Sequence, residues 1–174
     1  VHYLPTVDLA TGTCVGAEAL LRWRSQDRGL IRPDLFVPLA EESGLIVPMT
    51  NWLIDEAIRD LAELQRRGVD IHLAINLCRV HFCSDKIVRK VQEVCERHNV
   101  SPSSLVLELT ERSLIDAEDS RIHRVMASLR GLGAQLALDD FGTGYSSLGY
   151  LQRFALDALK VDRQFVAALG RDTQ

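Results

Sequence analysis

The sequence predicts an alternating α/β protein built on a largely parallel sheet, and three observations carry that expectation. Short apolar runs of strand length recur along the chain, IHLAIN, LVLE, LALDD and ALKVD. Amphipathic helical stretches separate them, and strands joined by helical crossovers of this length run parallel with right-handed connections. Each run also ends on a side chain of the kind that binds metal or moves protons: Asn76, Glu108, Asp139 with Asp140, and Lys160 with Asp162. Ligand sites of alternating β/α proteins form where the C-terminal ends of the strands converge, so the pattern that gives the fold also locates a site.

The opening, YLPTVDLATGTCVGAEALLRW, reads as two strands joined at the turn signal Ala10, Thr11 and Gly12, the second ending in a charged and aromatic cluster. After Pro33, DLFVPLAEESG reads as a short helix closed by Gly44. Thr50 reads as the cap of a longer helix that places Leu53, Ile54, Ala57, Ile58 and Leu61 on one face and stops at Gly68. Strand IHLAINL follows, then a helix with the apolar stripe Ile87, Val88, Val91, Val94 and Cys95. LVLEL is the next strand. A third amphipathic helix runs from about Ser120, with Ile122, Val125, Met126, Leu129 and Leu132 in register, and ends around Gly131 and Gly133. Strand QLALDD leads into a Gly and Ser loop, the short helix LGYLQRF and strand ALKVD, and RQFVAALG reads as the start of another helical connection. The order β(β)αα, βα, βα, βα, β forms one domain over residues 1–174, without internal repeats.

A chain of 174 residues with 47% hydrophobic and 25% charged residues has ordinary globular composition and sets aside disordered and fibrous classes. A net charge of −4 argues against DNA or RNA polymers as partners, because that binding draws on an excess of Lys and Arg. Phosphate bound here is expected to be bridged by metal ions. No run approaches the roughly 18 apolar residues of a membrane span, and VHYLPTVDL lacks the pattern of a signal peptide. Cytoplasmic residence is the expectation, with a membrane tether left to segments outside this chain. Val1 and the ending GRDTQ read as cuts in a longer polypeptide. Cys78, His81 and Cys83 are close in sequence, but no second close pair completes four zinc ligands, so Cys14, Cys78, Cys83 and Cys95 read as reduced thiols.

Period-two alternation decides which side chains meet. Glu18 shares a strand face with Leu20 and Arg22, Asn76 with Ala74, Glu108 with Val106, Asp139 with Ala137, and Asp162 with Lys160. If those faces line a barrel, Glu18, Asn76, Glu108, Asp139 and Asp140 bring oxygen ligands and four negative charges to one place, which an apolar interior tolerates only with cations. Oxygen-only ligands favour magnesium or manganese over zinc, and adjacent aspartates suit two ions sharing a carboxylate. Such a pair clamps the attacking and leaving oxygens of a phosphoester. Lys160 is placed to neutralise charge developing on phosphorus or to help activate water, and Arg22 to hold a phosphate. Glu111, three residues beyond Glu108, reads as a cap for the next segment of chain. Glycines 142, 144 and 149 taken alone are a weak signal for a phosphate cradle, which a plain turn explains equally well.

At these residues the chain resembles a known family. EALLRW at 18–23, PDLFVPLAEESGLI, INL at 75–77, LELTE at 107–111, DDFGTGYSSLGYL at 139–151 and LKVDRQFV at 159–166 closely resemble the EAL domain family, the bacterial cyclic di-GMP phosphodiesterases. The resemblance implies a TIM-type (β/α) barrel with a reversed first strand, hydrolysing cyclic di-GMP to linear pGpG with two divalent cations, Mg2+ or Mn2+. It implies Glu18, Asn76, Glu108 and Asp139 as ligands of one ion, with Asp139 bridging to a second that Asp140 also holds. Lys160 is implied beside the nucleophilic water, Glu111 as the glutamate that steadies the loop after DDFG, and Arg22 and Asp162 in the substrate pocket. A homodimer and fused sensor or cyclase domains outside this chain are further implications.

Two departures from the family pattern stand out. The family's Gln after the first Tyr, which helps hold a guanine, is replaced by Leu4 between Tyr3 and Pro5, and Cys78, His81 and Phe82 stand in the NLS..QF pattern. The family's later EGVE glutamate has no counterpart in these residues, so the last two βα units of a barrel of about 250 residues are absent and the fragment alone is expected to be inactive. A catalytically inactive cyclic di-GMP receptor or protein-interaction module is the second reading. Another metal-dependent barrel hydrolase is a third, which the length of the motif match disfavours.

Overall fold

A computed structural model describes residues 1–110, 113, 120–142 and 154–168. Strand β1 (His2–Val7) runs antiparallel to β2 (Cys14–Leu20), with Leu4 opposite Glu18. The turn between them is closed by Asp8, whose carboxylate accepts from the backbone N–H groups of Ala10 at 3.1 Å and Thr11 at 2.7 Å. A small hairpin follows, β3 (Trp23–Ser25) with β4 (Gly29–Ile31). The charged cluster after β2 had concealed it, because its strands are too short to show alternation.

Helices α1 (Pro33–Glu42) and α2 (Ile46–Arg66) lead to β5 (His72–Asn76), and α3 (Lys86–His98) leads to β6 (Leu105–Thr110). Then come α4 (Ser120–Gly131), β7 (Gln135–Phe141), β8 (Ala158–Val161) and α5 (Arg163–Ala168). The main sheet has the order β1-β2-β5-β6-β7-β8, parallel from β2 onward. The sheet curls with its helices on one face, so the fold is an incomplete TIM-type (β/α) barrel whose first strand is reversed.

Two sequence-based boundaries need correction or restriction. Thr50 does not cap α2, which starts four residues earlier and holds Thr50 buried in its second turn. The helix begins ahead of Thr50 because Pro48 lies in its first turn, where a missing backbone N–H costs nothing. Its end agrees with expectation: Gly68 follows at φ +79°, the left-handed turn that glycine makes without strain. Glu111, the loop glycines 144 and 149 and most of the LGYLQRF segment lie outside the described residues.

The core lies between the helices and one face of the sheet. From the sheet come Ala19, Leu73, Ile75, Leu105, Leu107, Leu109, Leu136 and Leu138; the helices contribute the stripes already legible in sequence, Leu53 to Leu61 in α2, Ile87 to Cys95 in α3 and Ile122 to Leu129 in α4. Asp55 of α2 pairs with Arg97 of α3 at 2.7 Å and also with Lys90, fastening the two helices at the rim of this core. With one face of β2, β5, β6 and β7 committed to the core, the alternate residues of those strands must point into the bore of the barrel.

The turn Arg79–Cys83 after β5 is a short 3₁₀ helix in which Phe82 enters the core and His81 is buried with it. His81 Nδ1 pairs with the Cys78 backbone at 3.0 Å, and Nε2 has no partner among the described residues. Cys83 is exposed, with its thiol near the Arg79 carbonyl, and burial, with a hydrogen bond to Glu41, raises the Cys78 thiol above its usual range. Cys78 and His81 thus cap the 3₁₀ turn reciprocally, and Cys83 stands apart from them at the surface.

Two measurements test this packing. Leu107, fully buried in the middle of β6, should cost about 3 kcal/mol on Leu107→Ala in denaturant unfolding, whereas Leu35→Ala on the exposed side of α1 should change little. Burial depresses the affinity of His81 for a proton, more than the Cys78 backbone and Glu41 restore it. The unfolded chain thus takes up a proton that the fold refuses. Stability from this group is complete above about pH 6.5 and falls as pH drops below it, by at most about 1.4 kcal/mol per pH unit. Thermal melts from pH 6.5 to 5.5 should show a shallower decline for His81→Phe than for the unchanged protein.

Candidate active site

Register places the bore-facing residues in lateral rows. Glu18 pairs with Ala74, Asn76 with Glu108, Glu108 with Ala137, and Thr110 with Asp139, so the polar residues occupy the C-terminal ends of their strands while small residues lie beneath them. One carboxylate oxygen each of Glu18, Glu108 and Asp139 falls within 4.8 Å of the others. Lys160 of β8 reaches all three, its Nζ lying 2.6 Å from Glu108 Oε2, 3.1 Å from Glu18 Oε2 and 3.3 Å from Asp139 Oδ2. Asn76 Nδ2 donates to Glu18 Oε1 at 2.6 Å, which leaves the amide oxygen as the Asn76 atom suited to a cation.

The electrostatics follow from burial. Glu108 is only 3% exposed. Burial pushes its carboxyl up to about 7, against the hydrogen bond and charge of Lys160 and with the added repulsion of Glu18 and Asp139. Burial opposes the charge on Lys160 as well, but Glu108, Glu18 and Asp139 more than offset it and hold the ammonium above the usual lysine range. The donor set, carboxylates and an amide without sulfur or imidazole, is that of a hard divalent cation such as Mg2+ or Mn2+.

Asp140 adopts a left-handed backbone at φ +56°, an uncommon conformation for a residue with a side chain, and its N–H donates to Asp139 Oδ1 at 2.9 Å. The residue is largely exposed, but partial loss of water around its carboxyl, with the charges of Asp139, Asp162 and Glu18, holds that group above the usual range against the pull of Lys160. It therefore sits in the same negative field but outside the three-acid cluster. Gly142, two residues on, has a backbone at φ +103°, and a Cβ there would lie 2.5 Å from the Phe165 ring. Asp162 accepts from the backbone N–H of Gln164 at 2.8 Å and so steadies the first turn of α5. Arg22 donates to the Leu21 carbonyl at 2.7 Å and, with Asn76, lines a largely apolar cleft of about 400 Å³.

Two residues of this region had escaped notice in the sequence. Thr110 lies beside Asp139 in the bore, where two-residue spacing from Glu108 is the signal that points to it. Glu41 comes from α1 into the cleft, and because it is remote in sequence no local pattern announces it.

Strand ends of a parallel β/α sheet that deliver acids, an amide and a lysine to one point define the class: a (β/α) barrel with a cluster of oxygen donors at its C-terminal mouth that could hold a cation. The family is then specific, because the EAL domain model matches residues 1–174, and the chain belongs to the EAL domain family. The probable cyclic di-GMP phosphodiesterase PdeB of Escherichia coli (strain K12) is 42% identical over 169 residues, which cover 97% of this chain and 32% of PdeB. The bifunctional diguanylate cyclase/cyclic di-GMP phosphodiesterase MucR of Pseudomonas aeruginosa is 41% identical over 175 residues, covering 99% of this chain and 25% of MucR. The chain thus spans between a quarter and a third of these curated relatives. Among solved structures, the PaMucR phosphodiesterase in complex with c-di-GMP superimposes with a TM-score of 0.89 at 41% identity, covering 98% of this chain and 69% of that one.

Proposed function

We propose that the chain is part of a phosphodiesterase that hydrolyses cyclic di-GMP to linear pGpG with two divalent cations, Mg2+ or Mn2+. The convergence of Glu18, Glu108 and Asp139 from three strands on Lys160 from a fourth carries this reading, and relatives named as cyclic di-GMP phosphodiesterases support it. Glu18, Asn76, Glu108 and Asp139 hold the first ion, and Asp139 with Asp140 the second. When bound, the ions supply Lewis acidity toward water and toward the phosphodiester.

The remaining steps fall to the protein's own groups. Lys160, kept protonated by its acids, stabilises negative charge gathering on the phosphodiester oxygens. Arg22 orients a phosphate from the adjoining cleft, and Asp162, at the start of α5, lies in the substrate pocket. Glu111 steadies the segment after DDFG. The domain works inside a longer, cytoplasmic signalling protein, as a homodimer joined to sensor or cyclase modules.

One observation favours a second reading. Leu4 faces the bore directly across from Glu18 and is 57% exposed, so the β1 wall of the site offers a ligand no hydrogen-bonding group at that position. A domain that binds cyclic di-GMP without cleaving it, or that serves as a protein-interaction module, accommodates such a wall.

Incubation of the native-length protein with cyclic di-GMP and Mn2+, followed by chromatography of the nucleotides, separates the two. The expected outcome is linear product that chelation abolishes and that Asp139→Asn reduces by at least about hundredfold. Binding of cyclic di-GMP by calorimetry without turnover in folded protein would establish the receptor reading instead.

A further inference from the structure

We propose that Lys160 is a tethered counter-cation: its ammonium group and a divalent ion compete for one position among Glu18, Glu108 and Asp139, so metal binds by displacing the lysine. The inference rests on the cation site of the proposed function and adds to it how that site is kept and filled.

Geometry makes the two occupants exclusive. Nζ lies between 2.6 and 3.3 Å from one oxygen of each acid, and these acids are the same three whose oxygens cluster within 4.8 Å. A divalent ion ligated at roughly 2.0–2.6 Å by such oxygens would stand within about 3 Å of the ammonium nitrogen. Two positive charges at that separation repel strongly even with generous screening. One of them must leave, and only the lysine has a stem that lets its charge move while its backbone stays.

Charge explains why a lysine is kept there. Three carboxylates on three rigid strands cannot separate, and Glu108 has almost no access to water. Without a cation between them their repulsion would fall directly on the β6–β7 pairing, which also holds the centre of the hydrophobic core. Lys160 supplies one positive charge, enough to hold the cluster and too little to neutralise it. A divalent ion in the same place brings two, and the displaced ammonium, still nearby, brings the total for three carboxylates to zero.

Placement on β8 makes the exchange feasible. The pairing of β8 with β7 breaks register between Leu138 and Phe141, beside Asp139. Lys160 stands near the C-terminal end of β8, so its stem can carry the ammonium group toward the mouth of the barrel.

The test is made on the native-length protein with Mn2+ and Mg2+ alone as probes. Calorimetric titration with Mn2+ is expected to give a dissociation constant roughly tenfold or more lower for K160M than for the unchanged protein. Melting in EDTA is expected to shift in the opposite direction, with K160M less stable, and Mn2+ should restore more stability to it than to the unchanged protein. Acetylation of the unchanged protein, read by mass spectrometry, is expected to modify Lys160 several times faster with Mg2+ than with EDTA. That readout stands even if K160M does not fold. Equal Mn2+ affinities with Lys160 acetylation unaffected by Mg2+ would overturn the displacement and leave the cation site intact. No Mn2+ binding by either protein would overturn the cation site itself, and the exchange with it.

Discussion

A carboxylate shut away from water must be given a positive charge, and Glu108 is the residue at which this protein meets that requirement. Its strand, β6, lies at the centre of the sheet, between β5 and β7, with Leu105, Leu107 and Leu109 sealed against the helices on its other face. The same alternation that drives three leucines into the core forces Glu108 into the bore. Neither residue set can be satisfied without the other. The desolvation cost of the acid is borne by one of the most heavily packed strands in the molecule, and its relief comes from Lys160, 52 positions away in sequence.

Once that requirement is met, the rest of the architecture falls into place around it. Small residues, Ala74, Ala137 and Ala158, lie two positions below Asn76, Asp139 and Lys160 on the bore face of their strands. Asn76 occupies the remaining oxygen of Glu18 and fixes its orientation. The unusual backbone of Asp140 turns the chain immediately after Asp139, so that adjacent aspartates serve different positions rather than the same one. Strain, burial and charge are concentrated at the strand ends, while the helical layer carries the ordinary work of packing.

Much of this was legible in the sequence, for physical reasons that also mark the limit of such reading. Amphipathic periodicity found α2, α3 and α4 with their buried faces, because a helix that packs on a sheet must carry its apolar residues on one side. Strand ends on Asn76, Glu108, Asp139 and Lys160 identified the site, since an apolar strand has no packing reason to stop on a charge. The β3–β4 hairpin was missed because three-residue strands show no period, and Thr50 was misplaced because a proline in the first turn let the helix begin without a polar cap. Glu41 was invisible for a different reason. Its approach to the cleft depends on how α1 folds over the barrel mouth, and nothing within its own segment encodes that.

The reversed first strand has a consequence for how such a domain is wired to its neighbours. In an ordinary β/α barrel the chain enters at the face remote from the chemistry. Here β1 runs against β2, pairing His2 with Leu20 beyond Glu18, so the chain enters beside the mouth of the barrel. Three residues of strand, about 10 Å, separate Val1 from the level of Glu18. Chain that continues ahead of Val1 therefore departs from the rim of the site and not from the remote face of the barrel.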